Sequence, residues 1–174
     1  MNNEALTTKP VPLWRSVLVG RRPARTLVRV VVLVALSYFL FGFAFLPFRV
    51  TGGSMEPTYR DGSVNFANRL AYLRGRPQRG DVVAIRLAAG RHRMLLKRIV
   101  GLPGERIAIR EGVVHINGQP LAEPYLQRAW PWNVRETVLA ADEYYVIGDN
   151  RRMAQEEQEF GKFKADLIVG KVLF

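Results

Sequence analysis

Hydrophobic patterning divides the chain into stretches of different character. From Val30 to Phe48 the residues VVVLVALSYFLFGFAFLPF run for nineteen positions without a charge. As a helix this run would be about 28 Å long, close to the about 30 Å hydrocarbon core of a bilayer. A chain of 174 residues could hardly cover such a helix on every side, so the run reads as a transmembrane segment rather than a core helix. Past it, the pattern has period two. DVVAIRL (Asp81–Leu87), RMLLKRIVGL (Arg93–Leu102) and ERIAIREGVVHINGQPL (Glu105–Leu121) are short β-branched runs separated by Gly, Pro or Asp. Asn117-Gly118 inside the last of these signals a two-residue type I′ hairpin, which needs positive φ at both positions. DEYYVIGDN (Asp142–Asn150) predicts a strand running into a turn, and DLIVGKVLF (Asp166–Phe174) a closing strand. VNFANRLAYLRG (Val64–Gly75) fits strand and helix equally. The expected fold is mainly β: one β domain behind a single N-terminal transmembrane helix.

Charge orients this arrangement. Residues 1–29 carry Lys9, Arg15, Arg21, Arg22, Arg25 and Arg29 against Glu4, so the positive-inside rule places the N-terminus in the cytoplasm. The expected division is a basic cytoplasmic segment 1–29, an anchor 30–48 and an extracytoplasmic domain 49–174. A cleavable secretory signal is the competing reading, but its apolar core would be shorter, about 7–15 residues, and LPFRVTGG makes a poor cleavage site. Val11–Arg22, which mixes apolar and basic residues, reads equally as an interfacial helix or as a tail. The net charge of +11 could suggest nucleic acid, yet the arginines of the outer part are scattered and form no basic helix. With no cysteine, disulfides, zinc fingers, iron–sulfur clusters and thiol catalysis are excluded.

Two features carry chemistry. All twenty-one arginines fall between residues 10 and 161, where Lys97 is the only lysine. Strand alternation sets Lys97 on one face with Leu95 and Ile99, while Leu96 and Arg98 point the other way. A lysine on an apolar face must snorkel, pair or become neutral, and only a neutral amine can accept a proton. Taken alone, Lys97 reads as a snorkelling surface residue. Ser54, within GGSMEP, is a candidate nucleophile, and the same stretch fits a glycine-rich turn with a capping serine about as well. Gly52 and Gly53 would let backbone N–H groups approach an oxyanion, and Pro57 would stiffen the turn. His92 and His115 sit near turns and make poor bases. A serine paired with a neutral lysine is one established way to activate a hydroxyl.

Together these residues resemble the type I signal peptidases. GGSMEPT (Gly52–Thr58) resembles their nucleophile box, RGDVVAI (Arg79–Ile85) their Arg-Gly-Asp strand, and KRIVGLPGERI (Lys97–Ile107) their lysine box. NGQPLAEPYL (Asn117–Leu126) and YYVIGDNR (Tyr144–Arg151) are similar to later elements, in the family's order, so the likeness runs from Leu33 to Phe174. It implies a membrane-bound serine endopeptidase that removes signal peptides from exported preproteins at a bacterial inner membrane. It also implies Ser54 as nucleophile and oxyanion donor through its backbone N–H, and Lys97 as general base. By the same resemblance Phe48, Val50, Met55, Tyr59, Ala84 and Leu96 line shallow pockets for small side chains, and Gly148, Asp149 and Asn150 support the site.

No metal or organic cofactor is implied, and the expected partners are preproteins and membrane lipid. One box departs from the family pattern. Ala154 stands where the family has a serine that helps orient the lysine, and Glu156-Glu157-Gln158 stand where it has Asp-Ser-Arg. Loss of one such hydrogen bond is worth about 1 kcal/mol, so impaired rather than absent catalysis is expected. The alternatives are a specialised maturation peptidase with a dedicated substrate, or an impaired homologue that binds preproteins without cutting.

Overall fold

The computed structural model of the protein describes residues 23–87, 94–126 and 130–173. Its contacts divide into two units, Met1–Gly42 and Phe43–Phe174. Helix α1 spans Pro23–Ala44, and Ala24–Ala44 is long and apolar enough to cross a membrane. Most of its large apolar side chains are exposed, from Leu27 through Phe41. The helix ends short of the expected boundary at Phe48, because Phe45–Arg49 form strand β1. Proline at position 47 cannot donate a helical hydrogen bond, and in β1 it lies opposite Phe66 in an antiparallel pairing. Hydropathy alone does not distinguish the end of an apolar helix from an apolar strand that follows it. Val11–Arg22 lies outside the described residues.

The second unit is antiparallel β throughout. Its strands are β1, β2 (Val64–Asn68), β3 (Val82–Arg86), β4 (Met94–Gly101), β5 (Arg106–Arg110), β6 (Val113–Ile116), β7 (Gln119–Pro120), β8 (Val134–Val138), β9 (Glu143–Ile147), β10 (Gly161–Lys164) and β11 (Ile168–Val172). Seven form one sheet in the order β1-β2-β11-β3-β4-β9-β10, and four form a second in the order β7-β6-β5-β8. The ambiguous Val64–Gly75 segment resolves into β2 followed by turns. The hairpin at Asn117-Gly118 has φ of 51° and 84°, the positive values that a type I′ turn requires.

Packing follows the alternation. Val100, Tyr145 and Ile147 of the larger sheet meet Ile107, Ile109 and Val114 of the smaller one around Trp132 and Leu139. A second cluster gathers Val50, Met55, Ala67, Val82, Ala84, Leu96 and Val172, and a third Val83, Ile85, Ile99, Tyr144 and Val146. Leu96 joins the second cluster while Ile99 joins the third, as opposite faces of β4 require. At Gly101 an added Cβ would lie 2.9 Å from Leu139 Cδ1 and from Tyr145 Cβ, so only glycine lets the sheets close there.

Candidate active site

Ser54 sits in the connection between β1 and β2. Gly52 adopts φ of 90°, a left-handed geometry that glycine takes without steric cost, and its N–H donates to Asp61 Oδ1 at 2.9 Å. Met55, 1% exposed, anchors the turn in the second cluster, and its carbonyl accepts the Tyr59 N–H at 3.0 Å. The Glu56–Pro57 peptide bond is cis. Among the described residues no hydrogen-bond acceptor stands opposite the Ser54 N–H.

Lys97 comes from the middle of β4, opposite Val83 of β3. It is 2% exposed, and its Nζ lies 2.8 Å from Ser54 Oγ. Burial dominates its proton affinity and lowers the pKa from 10.5 to about 8, while the charges of Glu159 and Asp149 act in the opposite sense. Lys97 makes no ion pair among the described residues. Chemically, a neutral amine beside a hydroxyl can take its proton, whereas a paired or solvated ammonium cannot.

The loop after β9 holds the turn from the other side. Asn150 donates its Nδ2 to Gly53 O at 2.8 Å and its backbone N–H to Ser54 O at 2.9 Å. Gly148 approaches so closely that a Cβ there would lie 2.2 Å from Ser54 O. Thr58 Oγ1 donates to Asp149 Oδ2 at 2.6 Å. Asp149 also accepts both arms of Arg98, at 2.8 and 2.6 Å, and the Arg98 guanidinium lies 4.0 Å from the Tyr125 ring centroid. This planar, two-bond pairing suits arginine and fixes the loop against β4.

A cleft of about 520 Å³ opens over Ser54 and Lys97, walled by Phe48 and Arg49, by Met94 and Leu95, and by Met153, Glu157 and Glu159. A smaller pocket of about 40 Å³ also touches Ser54, and its walls include Phe48, Val50, Met55, Ala84 and Leu96. Tyr59, the remaining residue expected there, packs against the same apolar cluster without lining that pocket.

The sequence matches the signal peptidase, peptidase S26 family over residues 24–174. The chain belongs to that family. Signal peptidase I of Bacillus caldolyticus is 33% identical over 147 residues, covering 76% of this chain and 79% of that protein. Signal peptidase IB of Staphylococcus aureus is 27% identical over 166 residues, covering 85% of this chain and 86% of the relative. A solved signal peptidase I from Enterococcus faecalis V583 is 27% identical, covers 56% of this chain and 97% of that one, and has a TM-score of 0.45.

Set beside the family pattern, the departing box folds into a support of its own. Ala154 precedes a short 3₁₀ turn, Gln155–Glu157, and Gln158 turns inward to 5% exposure. Its Oε1 accepts the Gly148 N–H at 2.6 Å and its Nε2 donates to Asn150 O at 2.9 Å. Gln158, at the position of the family's arginine, thus clamps both ends of the Gly148–Asn150 loop.

Sequence reasoning also missed the neighbouring brace. Arg151, 2% exposed, donates its Nε to Gly148 O at 2.9 Å and pairs with Glu123 at 2.6 Å. Tyr125 donates to the same Glu123 oxygen at 2.5 Å. The motifs contain Glu123 and Arg151, but nothing in the spacing of 28 positions marks them as partners. The Arg-Gly-Asp stretch proves structural: Arg79 reaches Val100 O and pairs with Glu105 at 2.5 Å, and Asp81 accepts Lys171 at 2.6 Å. His115 lies on β6 of the smaller sheet, with Nδ1 3.0 Å from Val113 O. His92 is outside the described residues.

Proposed function

We propose that this chain is a membrane-anchored serine endopeptidase that removes signal peptides from exported preproteins. Its anchor is α1, its N-terminus faces the cytoplasm of a bacterial cell, and its β domain works outside the inner membrane. The observation that carries the reading is the 2.8 Å approach of a buried lysine amine, without an ion pair among the described residues, to the hydroxyl of Ser54. Membership of the signal peptidase family and the names of the relatives support the substrate class.

In this reading neutral Lys97 takes the Oγ proton as Ser54 attacks the scissile carbonyl. The Ser54 N–H stabilises the developing oxyanion. Lys97 then hands its proton to the departing amine, leaving an ester on Ser54, and activates the water that hydrolyses it. The substrate lies extended between residues 48–53 and Met94–Leu96, in the manner of an added strand. The shallow pocket of Phe48, Val50, Met55, Ala84 and Leu96 suits small side chains next to the cut. Ala154, which cannot supply a hydroxyl to the amine, favours a second reading in which the chain binds preproteins without cutting.

The test is cleavage of a preprotein carrying an Ala-x-Ala site by detergent-solubilised full chain and by Ser54→Ala. Cleavage at the correct bond that vanishes in the variant is the expected result. No cleavage by folded parent protein would favour the binding-only reading.

A further inference from the structure

The cleft contains a carboxylate that the family pattern does not account for. Glu159 follows Gln158, which is buried and bonded to Gly148 and Asn150, and precedes Phe160, whose ring packs on Trp132 with centroids 5.1 Å apart. Both neighbours are thus tied inward, and the exposed Glu159 between them lines the same cleft as Lys97. It lies beyond ion-pair distance of Nζ, so it acts as a field and not as a contact. Among the described residues the amine has one hydrogen bond, to Ser54.

Other charges near the amine are already engaged or lie on the cleft wall. Asp149 is neutralised by Arg98, and Asp61 is occupied by the Gly52 N–H. Glu56 faces Gly53, while Arg49 and Glu157 share the cleft wall. Of the carboxylates whose charge acts on Lys97, Glu159 has the larger effect and no ion-pair partner of its own among the described residues.

We propose that Glu159 is a positioning residue for the general base, its carboxylate stabilising the ammonium that forms when Lys97 takes the Ser54 proton. The logic parallels the carboxylate behind the histidine of a catalytic triad, which favours the protonated base without taking its proton. The arrangement has a cost at neutral pH: less of the amine is neutral, but proton transfer is more favourable once it is. The proposal rests on Lys97 being the base, and its test is chosen to separate the two ideas.

The pH dependence of Lys97 modification by an amine-selective reagent, mapped by mass spectrometry in the full chain, reads the amine directly whether or not the enzyme cuts. Glu159→Gln should lower the midpoint by about half a pH unit, the scale of one partly screened charge. Glu159→Asp should bring it back toward the parent value, and Glu157→Gln should leave it in place. In cleavage assays Glu159→Gln should move the acid limb of kcat down by the same amount and reduce the alkaline plateau about two- to threefold. An unchanged or raised midpoint in Glu159→Gln would overturn the proposal, as would an equal shift in Glu157→Gln or an undiminished plateau. A parent protein that fails to cut while the midpoint still shifts would remove the peptidase reading and leave the Glu159–Lys97 coupling standing.

Discussion

Lys97 and Arg98 are consecutive cations on β4, the first buried and the second largely covered, and their surroundings differ in one decisive respect. Arg98 is held by both oxygens of Asp149 and covered by Tyr125, so its charge is satisfied and its role is to fix the loop behind Ser54. Lys97 is buried more deeply and receives no ion pair among the described residues, only the hydroxyl of Ser54. Burial with a partner makes a brace. Burial without one lowers an amine's proton affinity, which is what the proposed role of Lys97 as base requires.

Breaking each side of this contrast should give opposite phenotypes. The largest effect is on turnover: Lys97→Met should reduce kcat about 10³-fold or more, with KM for an Ala-x-Ala preprotein little changed. The same variant should be more stable than the parent, by about 1 kcal/mol in denaturant unfolding at pH 7, because a buried ammonium is replaced by a side chain of similar length that is content in the core. Asp149→Ala should do the reverse to stability. Leaving the largely covered Arg98 guanidinium with only Gly80 O and the Tyr125 ring should cost about 1–3 kcal/mol, read as a lower unfolding midpoint.

Smaller changes sharpen the comparison. Gln158→Ala would leave the Gly148 N–H without its acceptor and should cost about 1–3 kcal/mol, with a loss of kcat that follows the looser Ser54 turn. The last effect is a slope. The unfolded chain keeps the Lys97 proton up to about 10.5, whereas the folded chain releases it above about 8. Between those values the unfolded state binds more protons, so this group makes stability rise with pH, and below about 8 its full cost is present. Lys97→Met should flatten that part of the stability profile.

These contrasts also show what the sequence could reveal. The β strands, the Asn117-Gly118 hairpin and the odd lysine in an apolar strand are local patterns, written in period and composition, and all are found in the structure. Ser54 and Lys97 lie forty-three positions apart; their own surroundings left bland readings open for both, the family resemblance joined them, and the two meet. The braces were not legible in the same way. Gln158 looks like a polar substitution in a charged run, and only the folded loop shows that its amide spans Gly148 and Asn150. Glu123 and Arg151 are ordinary charged residues until β7 and β9 bring their loops together. The end of α1 was hidden for a different reason: Phe45–Phe48 are as apolar as the helix before them, and only pairing with β2 reveals them as strand.

The central claim, that Ser54 is activated by an amine whose proton affinity burial lowers, is tested most directly by the pH dependence of preprotein cleavage in the parent and in Lys97→Met. A single acid limb with a midpoint near 8, reached by the parent and lost with nearly all activity in the variant, is the expected result. Substantial cleavage by Lys97→Met, or a parent profile flat between about pH 6 and pH 10, would contradict it.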